Sequence, residues 1–97
     1  MKAIYQLVGN SFRGQEEKKA FAALRKGDKI TLVREKTNAH DSNAIKAMIG
    51  SLHVAYVKAG DAIILSAIMD ADSHTQITGT AAFMGASTYA EVQHGDY

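Results

Sequence analysis

The stretch Ile30-Thr-Leu-Val-Arg-Glu-Lys-Thr-Asn-Ala-His-Asp-Ser-Asn-Ala-Ile-Lys-Ala-Met-Ile49 predicts a strand, a polar loop and a second strand. Residues 30–33 and 44–49 show the alternation and the β-branched residues that are typical of strands. Between them, five of the six positions 38–43 carry polar side chains. Asn, Asp and Ser often bind their own backbone in turns. The loop is therefore either a self-capped turn or a set of polar groups that a ligand can use.

The rest of the chain predicts four more strands and two helices, which gives the order βαβββαββ. The predicted strands cover residues 2–8, 28–35, 43–49, 52–57, 75–83 and 87–93, and the predicted helices cover residues 15–25 and 62–69. Gly50-Ser51 and residues 84–86 mark turns, and Gly79 marks a bulge or tight curve. We expect a mainly β (α+β) fold, a small six-stranded OB-like β-barrel with two helices. A small α+β sandwich is the alternative.

The second predicted helix, residues 62–69, differs from the first because apolar residues nearly encircle it. Such a helix is expected to be substantially buried and to plug one end of a sheet or barrel. Asp61 precedes it and is a suitable N-cap. We expect residues 1–93 to form a single domain and residues 94–97 to form a loose C-terminal tail.

Charge is unevenly distributed along the chain, although the formal net charge is only +1. All eleven Lys and Arg residues lie between Lys2 and Lys58, together with five acids, whereas residues 59–97 contain five acids and no Lys or Arg. Such asymmetry indicates an anionic partner if the two halves stay apart in space. The alternative is that the halves interleave in the fold and their charges cancel.

Several classes of chemistry find no support in the residues. The chain has no cysteine, and its four histidines lack a dense ligand spacing, so neither a metal site nor a cofactor is predicted. No phosphate loop or nucleophile elbow is present, and a small metal-dependent hydrolase is the least favoured alternative. The N-terminus is too polar for a signal peptide, and no apolar run reaches the ~18 residues of a membrane span. We therefore expect a soluble, cytoplasmic binding protein that is not an enzyme.

Three groups of residues carry a resemblance to a known family. Arg34-Glu35 is followed by Asn38-x-x-Asp41-x-Asn43-Ala44-Ile45-Lys46, and a glycine-containing turn then leads to Ala55-Tyr56-Val57. This order resembles the signature of the HIRAN domain, approximately Arg-Glu-Pro-x-Asn-Pro-Tyr-Asp-x-Asn-Ala-Ile and then Gly-Tyr-Val-Pro. Among the departures from that pattern, His40 replaces the tyrosine, Lys36 and Ala39 replace the first two prolines, and Ala55 replaces the glycine.

The resemblance implies an OB-like barrel, here as a small stand-alone module, that binds single-stranded DNA at a free 3′-hydroxyl end in DNA repair or processing. It implies that Asp41 accepts a hydrogen bond from the terminal hydroxyl and that Asn38 sets the loop and contacts the terminal sugar or base. His40 can stack on a base but covers less area than the tyrosine of the family. Tyr56 is either a stacking residue or part of the core.

Four further residues are candidates for the same interface. Lys58 follows the Tyr56 strand where a phosphate contact would be useful, and Phe83 lies roughly where the family places a late aromatic residue. Phe12 and Arg13 form a loop pair that can stack on a base and hold a phosphate, or else a core Phe beside a solvated Arg. The alternative function is a protein-interaction module of the same fold that docks on a helicase or nuclease partner.

Overall fold

The computed structural model describes residues 1–95, which form six strands, two α-helices and a short 3-10 helix. The elements are β1 (Lys2–Val8), a 3-10 helix (Asn10–Phe12), α1 (Gln15–Ala22), β2 (Lys29–Arg34), β3 (Ile45–Ile49), β4 (Leu52–Val57), α2 (Ala59–Ala71), β5 (Gln76–Met84) and β6 (Ser87–Gln93). The predicted order βαβββαββ is confirmed, and β1, β4 and β6 have the predicted bounds.

The strands close into an antiparallel barrel in the order β1-β4-β3-β2-β5-β6, with β6 pairing back to β1. The predicted fold class, a mainly β OB-like barrel with two helices, is confirmed. Alternation along each strand fills the barrel, since Tyr5 and Leu7 of β1 and Ile30 and Leu32 of β2 are buried. Within residues 1–95, β1 pairs with β4 at Leu7–Val57 and Val8–Tyr56, and the side chains of Asn10 and Arg13 donate to the Val54 and His53 carbonyls of β4.

The bulge of the barrel lies between β3 and β4 and not at Gly79, where β5 pairs with β2 without a register shift. The pairing of β3 with β4 shifts register between Ala47 and Met48, and a bulge of this kind bends a strand. Gly79 pairs in register with Ile30 of β2, but a Cβ atom there would lie 2.9 Å from the carbonyl oxygen of Glu91. Glycine is therefore needed at residue 79 because β5 and β6 approach each other so closely.

The second helix differs from its prediction in length and in burial. α2 begins at Ala59, and its N-cap is Lys58, three residues before the predicted N-cap Asp61. Asp61 lies in the first turn of the helix. The Asp61 carboxylate instead accepts a hydrogen bond of 2.8 Å from the backbone N–H of Gln6. No helix within residues 1–95 is long and apolar enough to span a membrane.

Only one face of α2 is buried. Leu65 and Met69 reach the core and close the barrel end where β4 finishes and β5 starts. Ile63 and Ile64 point the other way and are each 59% exposed. The expectation of a substantially buried helix is therefore wrong for the outward face.

The first helix ends at Ala22, earlier than the predicted Arg25, because the following turn is held by tertiary contacts. The N–H of Gly27 donates to the carbonyl of Ala81 on β5, and the N–H of Ala81 donates to the carbonyl of Asp28. Strand pairing with β5 thus begins directly after this turn.

The predicted tail is described only in part. His94 donates its backbone N–H to the Met1 carbonyl at 2.8 Å, and its ring hydrogen bonds to the Tyr5 hydroxyl. The contact between β6 and β1 therefore continues to His94. Asp96 and Tyr97 lie outside the described residues.

Candidate nucleic-acid interface

A pocket of about 370 Å³ opens where the β2–β3 loop meets the outer face of β1 and β4. Its lining residues are Val8, Asn38, His40, Asp41, Ala44, Tyr56, Val57 and Ala59. Val8 and Tyr56 are cross-strand partners, so the apolar wall comes from β1 and the aromatic wall from β4. Four of the eight predicted site residues, Asn38, His40, Asp41 and Tyr56, come together here.

The loop side of the pocket is built by two side chains that bind the loop backbone. The Asn38 oxygen accepts hydrogen bonds from the N–H groups of His40 and Asp41 at 2.9 and 3.0 Å. Asp41 Oδ1 accepts from the N–H of Asn43 at 2.9 Å. Both residues therefore cap the turn, as the self-capping interpretation predicts. Within residues 1–95, Asp41 Oδ2 has no hydrogen-bond donor, so one carboxylate oxygen is left for a ligand.

Glu35 ties the loop to the barrel wall. Its Oε1 accepts hydrogen bonds from the Asn38 amide at 2.6 Å and from the Tyr56 hydroxyl at 2.8 Å. Lys46 lies 4.0 Å from the other carboxylate oxygen. The Asn38 hydrogen bond, followed by that from Tyr56 and the charge of Lys46, lowers the pKa of Glu35 below its usual value. Glu35 is therefore an anionic anchor that fixes both loop and ring.

Tyr56 is held from two sides. Its hydroxyl binds Glu35, and its ring meets His53 edge-to-face with centroids 4.6 Å apart. Burial, together with the carboxylate of Glu35, raises the pKa of Tyr56, so its hydroxyl stays a donor. Burial and then the nearby charge of Arg13 lower the pKa of His53. A neutral imidazole thus packs against a fixed phenol ring.

Arg34 holds the opposite side of the same loop. Its guanidinium donates to both carboxylate oxygens of Asp70 at 3.0 and 3.1 Å and to the carbonyl of Ala44 at 3.0 Å. Its side chain is only 4% exposed. The hydrogen bond from Arg34 lowers the pKa of Asp70. This pair connects the loop to α2 and belongs to the framework rather than to the pocket.

Two of the predicted basic residues lie at the edge of this region. Lys58 is exposed at the start of α2, between the lining residues Val57 and Ala59. Arg13 donates through Nε to the carbonyl of His53 at 2.9 Å, which places it beside Tyr56. Arg13 is therefore tied to β4 instead of being only solvated, and neither residue lines the pocket.

The two predicted phenylalanines do not line the pocket either. Phe12 is 90% exposed in the 3-10 helix, so it does not tuck into the core. Phe83 is 44% exposed next to the β5–β6 hairpin. Antiparallel strand directions put that hairpin at the barrel end opposite the β2–β3 loop. The resemblance that suggested Phe83 gave its position along the sequence but not the direction of its strand, so the prediction that Phe83 belongs to the site was wrong for this pocket.

The residues of the site that were not predicted are Glu35 and the lining residues Val8, Ala44, Val57 and Ala59. Glu35 was visible in the motif, but its link to Tyr56 spans 21 residues and needs the barrel to close. Val8 is brought to the pocket by its pairing with Tyr56. In the sequence it is only an apolar residue at the end of a strand, and nothing there marks it as a site residue.

The charge halves stay apart within the barrel. β1 to β4 are contiguous in the order β1-β4-β3-β2, and β5 and β6 adjoin each other. The strand order therefore separates the strands of the two halves, but α2 of the acidic half brings Asp70 to both Arg34 and Lys36 of the basic half. Ion pairs join the halves where they meet, between Lys2 and Glu91 at 3.6 Å and between Arg34 and Asp70 at 3.0 Å.

The geometry defines a class of protein. A closed six-stranded barrel carries a lateral pocket in which a carboxylate, an imidazole and a phenol converge, and this is the architecture of a binding module. Within residues 1–95 no group of three or more His, Cys, Asp or Glu residues is arranged to hold a metal ion.

Comparison with family models identifies the module. The model of the HIRAN domain matches residues 2–93, and the chain belongs to the HIRAN domain family. HIRAN domains are nucleic-acid-binding modules rather than catalytic domains. The comparisons with curated proteins and with solved structures give no match.

Proposed function

We propose that this HIRAN domain binds single-stranded DNA and that its pocket receives a free 3′-hydroxyl end. The observation that carries the proposal is that Asp41 and Tyr56, 15 positions apart in the sequence, line the same pocket. A volume of about 370 Å³ lies in the range of small-molecule sites, about 300–1,000 Å³. Such a pocket suits one terminal nucleotide rather than a duplex.

Asp41 supplies the recognition of the end. The Asn43 N–H holds Oδ1 at 2.9 Å and so orients the carboxylate, and Oδ2 accepts a hydrogen bond from the terminal hydroxyl. An ionised carboxylate accepts strongly from a hydroxyl and repels a phosphate in the same place. A single group therefore selects the hydroxyl end and disfavours the phosphorylated one.

Tyr56 and His40 supply contacts to the terminal base. Tyr56 is already oriented by Glu35 and His53, so little side-chain freedom is lost when a base stacks on it. His40 is exposed at the pocket rim and offers a smaller ring in place of the tyrosine of the family. Asn38 shapes the loop, since its oxygen holds two backbone N–H groups and its amide holds Glu35.

Lys58, exposed between the lining residues Val57 and Ala59, is a cation available for a phosphate. With only two or three phosphates touched, the slope of log affinity against log salt is expected to be shallow, about −1.5 to −2. Free 3′ ends are substrates and products of DNA processing, and the proposal therefore concerns DNA repair or processing.

The test is a fluorescence titration with one labelled oligonucleotide ending in a 3′-hydroxyl and one ending in a 3′-phosphate. We expect at least about 10-fold tighter binding of the hydroxyl end, because the phosphate brings its charge to the Asp41 carboxylate. Equal affinities for the two oligonucleotides would contradict end recognition.

Two Asp41 variants separate recognition from folding. Asp41→Asn keeps an oxygen for the Asn43 N–H but removes the charge, so it should fold normally and bind the two ends within about 3-fold of each other. Asp41→Ala should weaken binding and also lose the cap. If Asp41→Asn keeps the full preference for the hydroxyl end, the carboxylate charge does not select the end.

A further inference from the structure

The end of the barrel opposite the pocket carries an excess of positive charge. α1 joins the end of β1 to the start of β2, so residues 13–29 lie at this end. They include six Lys or Arg residues and only three acids. Five other acids lie at the pocket end, in the β2–β3 loop or in and just after α2, namely Glu35, Asp41, Asp61, Asp70 and Asp72.

The cations of this basic end are not neutralised within the fold. Within residues 1–95, ion pairs are formed by cations outside residues 13–29, namely Lys2, Arg34, Lys36 and Lys46. Arg25, Lys26 and Lys29 are exposed and lie three or more residues beyond the end of α1, whereas the favourable effect of a helix terminus on a cation fades within its last turn. These three cations, which we call the basic turn, are therefore available to an anion.

The basic turn is held against the strand that carries Phe83. The carboxylate of Asp28, the one acid of residues 25–29, accepts a hydrogen bond of 2.8 Å from the backbone N–H of Arg25. The Gly27 N–H donates to the Ala81 carbonyl at 2.9 Å, and the Ala81 N–H donates to the Asp28 carbonyl at 2.8 Å. Phe83 lies two strand residues beyond Ala81, about 7 Å along β5, and is 44% exposed. Cations and an exposed aromatic ring therefore share one end of the barrel.

We propose that the basic turn and Phe83 form a second contact for single-stranded DNA, which binds nucleotides away from any strand end. The cations contact successive phosphates, and an unpaired base stacks on the Phe83 ring. The proposal does not rest on recognition of a 3′ end, because neither the basic turn nor Phe83 lines the pocket.

An exposed phenylalanine beside cations fits an unpaired strand better than a duplex or an acidic protein. In a duplex the bases already stack on each other, whereas every base of a single strand offers a free face to an aromatic ring. An acidic protein would use exposed apolar area of any shape, which Met84 beside Phe83 also offers, being 54% exposed. The two neighbouring side chains therefore distinguish stacking from general apolar contact.

A circular single-stranded oligonucleotide isolates this contact, because it has no 3′ end for the pocket. In a fluorescence anisotropy titration of the whole chain we expect a dissociation constant on the order of 10–100 µM at low salt. With about three phosphates touched, the slope of log affinity against log salt should be about −2. A circle of abasic nucleotides keeps the phosphates but lacks the bases, and it should bind about 5-fold or more weakly than the normal circle.

Paired charge variants test the cations. The double variant Arg25→Gln with Lys26→Gln should weaken binding of the circle about 5-fold or more. The control double variant, Lys2→Gln with Lys36→Gln, removes the same charge from two exposed residues at the pocket end. It should change the affinity by less than about 2-fold, because these residues lie away from the bound strand.

Matched truncations test the ring. Phe83→Ala should weaken binding of the circle about 5-fold or more, whereas Met84→Ala should change it by less than about 2-fold. Both residues are substantially exposed, so both variants should melt like the parent chain.

The outcomes separate this proposal from the function of the pocket. No binding of the circle at about 1 mM protein, or equal losses in the two charge variants, overturns the second contact. Equal effects of Phe83→Ala and Met84→Ala, or equal binding of the abasic circle, overturn base stacking and leave only a general anion contact. Binding of the circle without a preference for 3′-hydroxyl ends contradicts the pocket proposal alone, and the reverse result contradicts the second contact alone.

Discussion

Arg34 and Glu35 are adjacent in the sequence, yet they anchor opposite sides of the β2–β3 loop. Successive strand residues point to opposite faces, so Arg34 points into the barrel end and binds Asp70 and Ala44, whereas Glu35 points outward and binds Asn38 and Tyr56. The Arg34 side chain is 4% exposed and the Glu35 side chain is 24% exposed. Arg34 thus attaches the loop to the core of the fold, and Glu35 attaches it to the wall of the pocket.

The largest expected effect comes from Arg34→Met, which keeps the aliphatic stem but removes the hydrogen bonds to Asp70 and to the Ala44 carbonyl. Hydrogen bonds of a buried charged donor are worth about 1.5–3 kcal/mol, and we expect about 2 kcal/mol less stability and a Tm about 8–16 °C lower. Glu35→Gln keeps its acceptor oxygen and should lower stability by about 0.5 kcal/mol or less. Thermal and urea denaturation measure both, and equal losses would abolish the distinction between the two anchors.

Tyr56 tests the pocket side through DNA affinity. Tyr56→Ala removes the stacking surface and should weaken binding of a 3′-hydroxyl oligonucleotide about 10- to 100-fold. Tyr56→Phe keeps the ring and loses only the hydrogen bond to Glu35, so a loss of about 2- to 5-fold is expected. Fluorescence anisotropy gives both affinities. If Tyr56→Phe binds as poorly as Tyr56→Ala, the hydroxyl and not the ring makes the contact.

The smallest expected effect is on the pH dependence of stability. Burial and Arg13 lower the pKa of His53 in the folded chain. Below about pH 6.5, the usual His value, the unfolded chain therefore binds a proton that the folded chain does not, so stability falls as the pH decreases through that value toward the folded pKa. His53→Gln should flatten this part of the stability curve.

Glu35 contributes in a separate, more acidic window. Its pKa is lowered in the folded chain, so its contribution is complete above the unfolded value of about 4.3 and is lost as the pH falls from there through the folded pKa. Thermal melts from about pH 2 to about pH 8 cover both windows and separate them. An unchanged slope near pH 6 in His53→Gln would contradict the role of His53 in this pH dependence.

Much of the fold was predictable because its signals are local. The bounds of β1, β4 and β6 follow from alternation and from glycine turns, and Gly50 and Gly85 adopt the positive φ values of 58° and 59° that such turns need. The caps made by Asn38 and Asp41 reach only two or three residues along the chain. This is why the sequence could indicate both the loop and its self-capping.

The candidate site was predictable only in part because its walls come from distant segments. The motif identified Asn38 and Asp41, but the place of Phe83 depends on strand direction, and the attachment of Arg13 to His53 depends on a contact across 40 residues. The predicted extent of α2 was wrong because it also depends on a distant contact. Asp61 was predicted to cap the helix, but its carboxylate accepts a hydrogen bond from the backbone N–H of Gln6.

The sequence by itself determined the alternating strands, the glycine turns, the capped polar loop and the family to which the chain belongs. These features depend on neighbours a few residues apart. The tertiary structure alone decided the barrel order, the pairing of Val8 with Tyr56 and the exposure of Ile63 and Ile64. Those features follow from which distant apolar surfaces can be buried together, and local propensity carries no information about that choice.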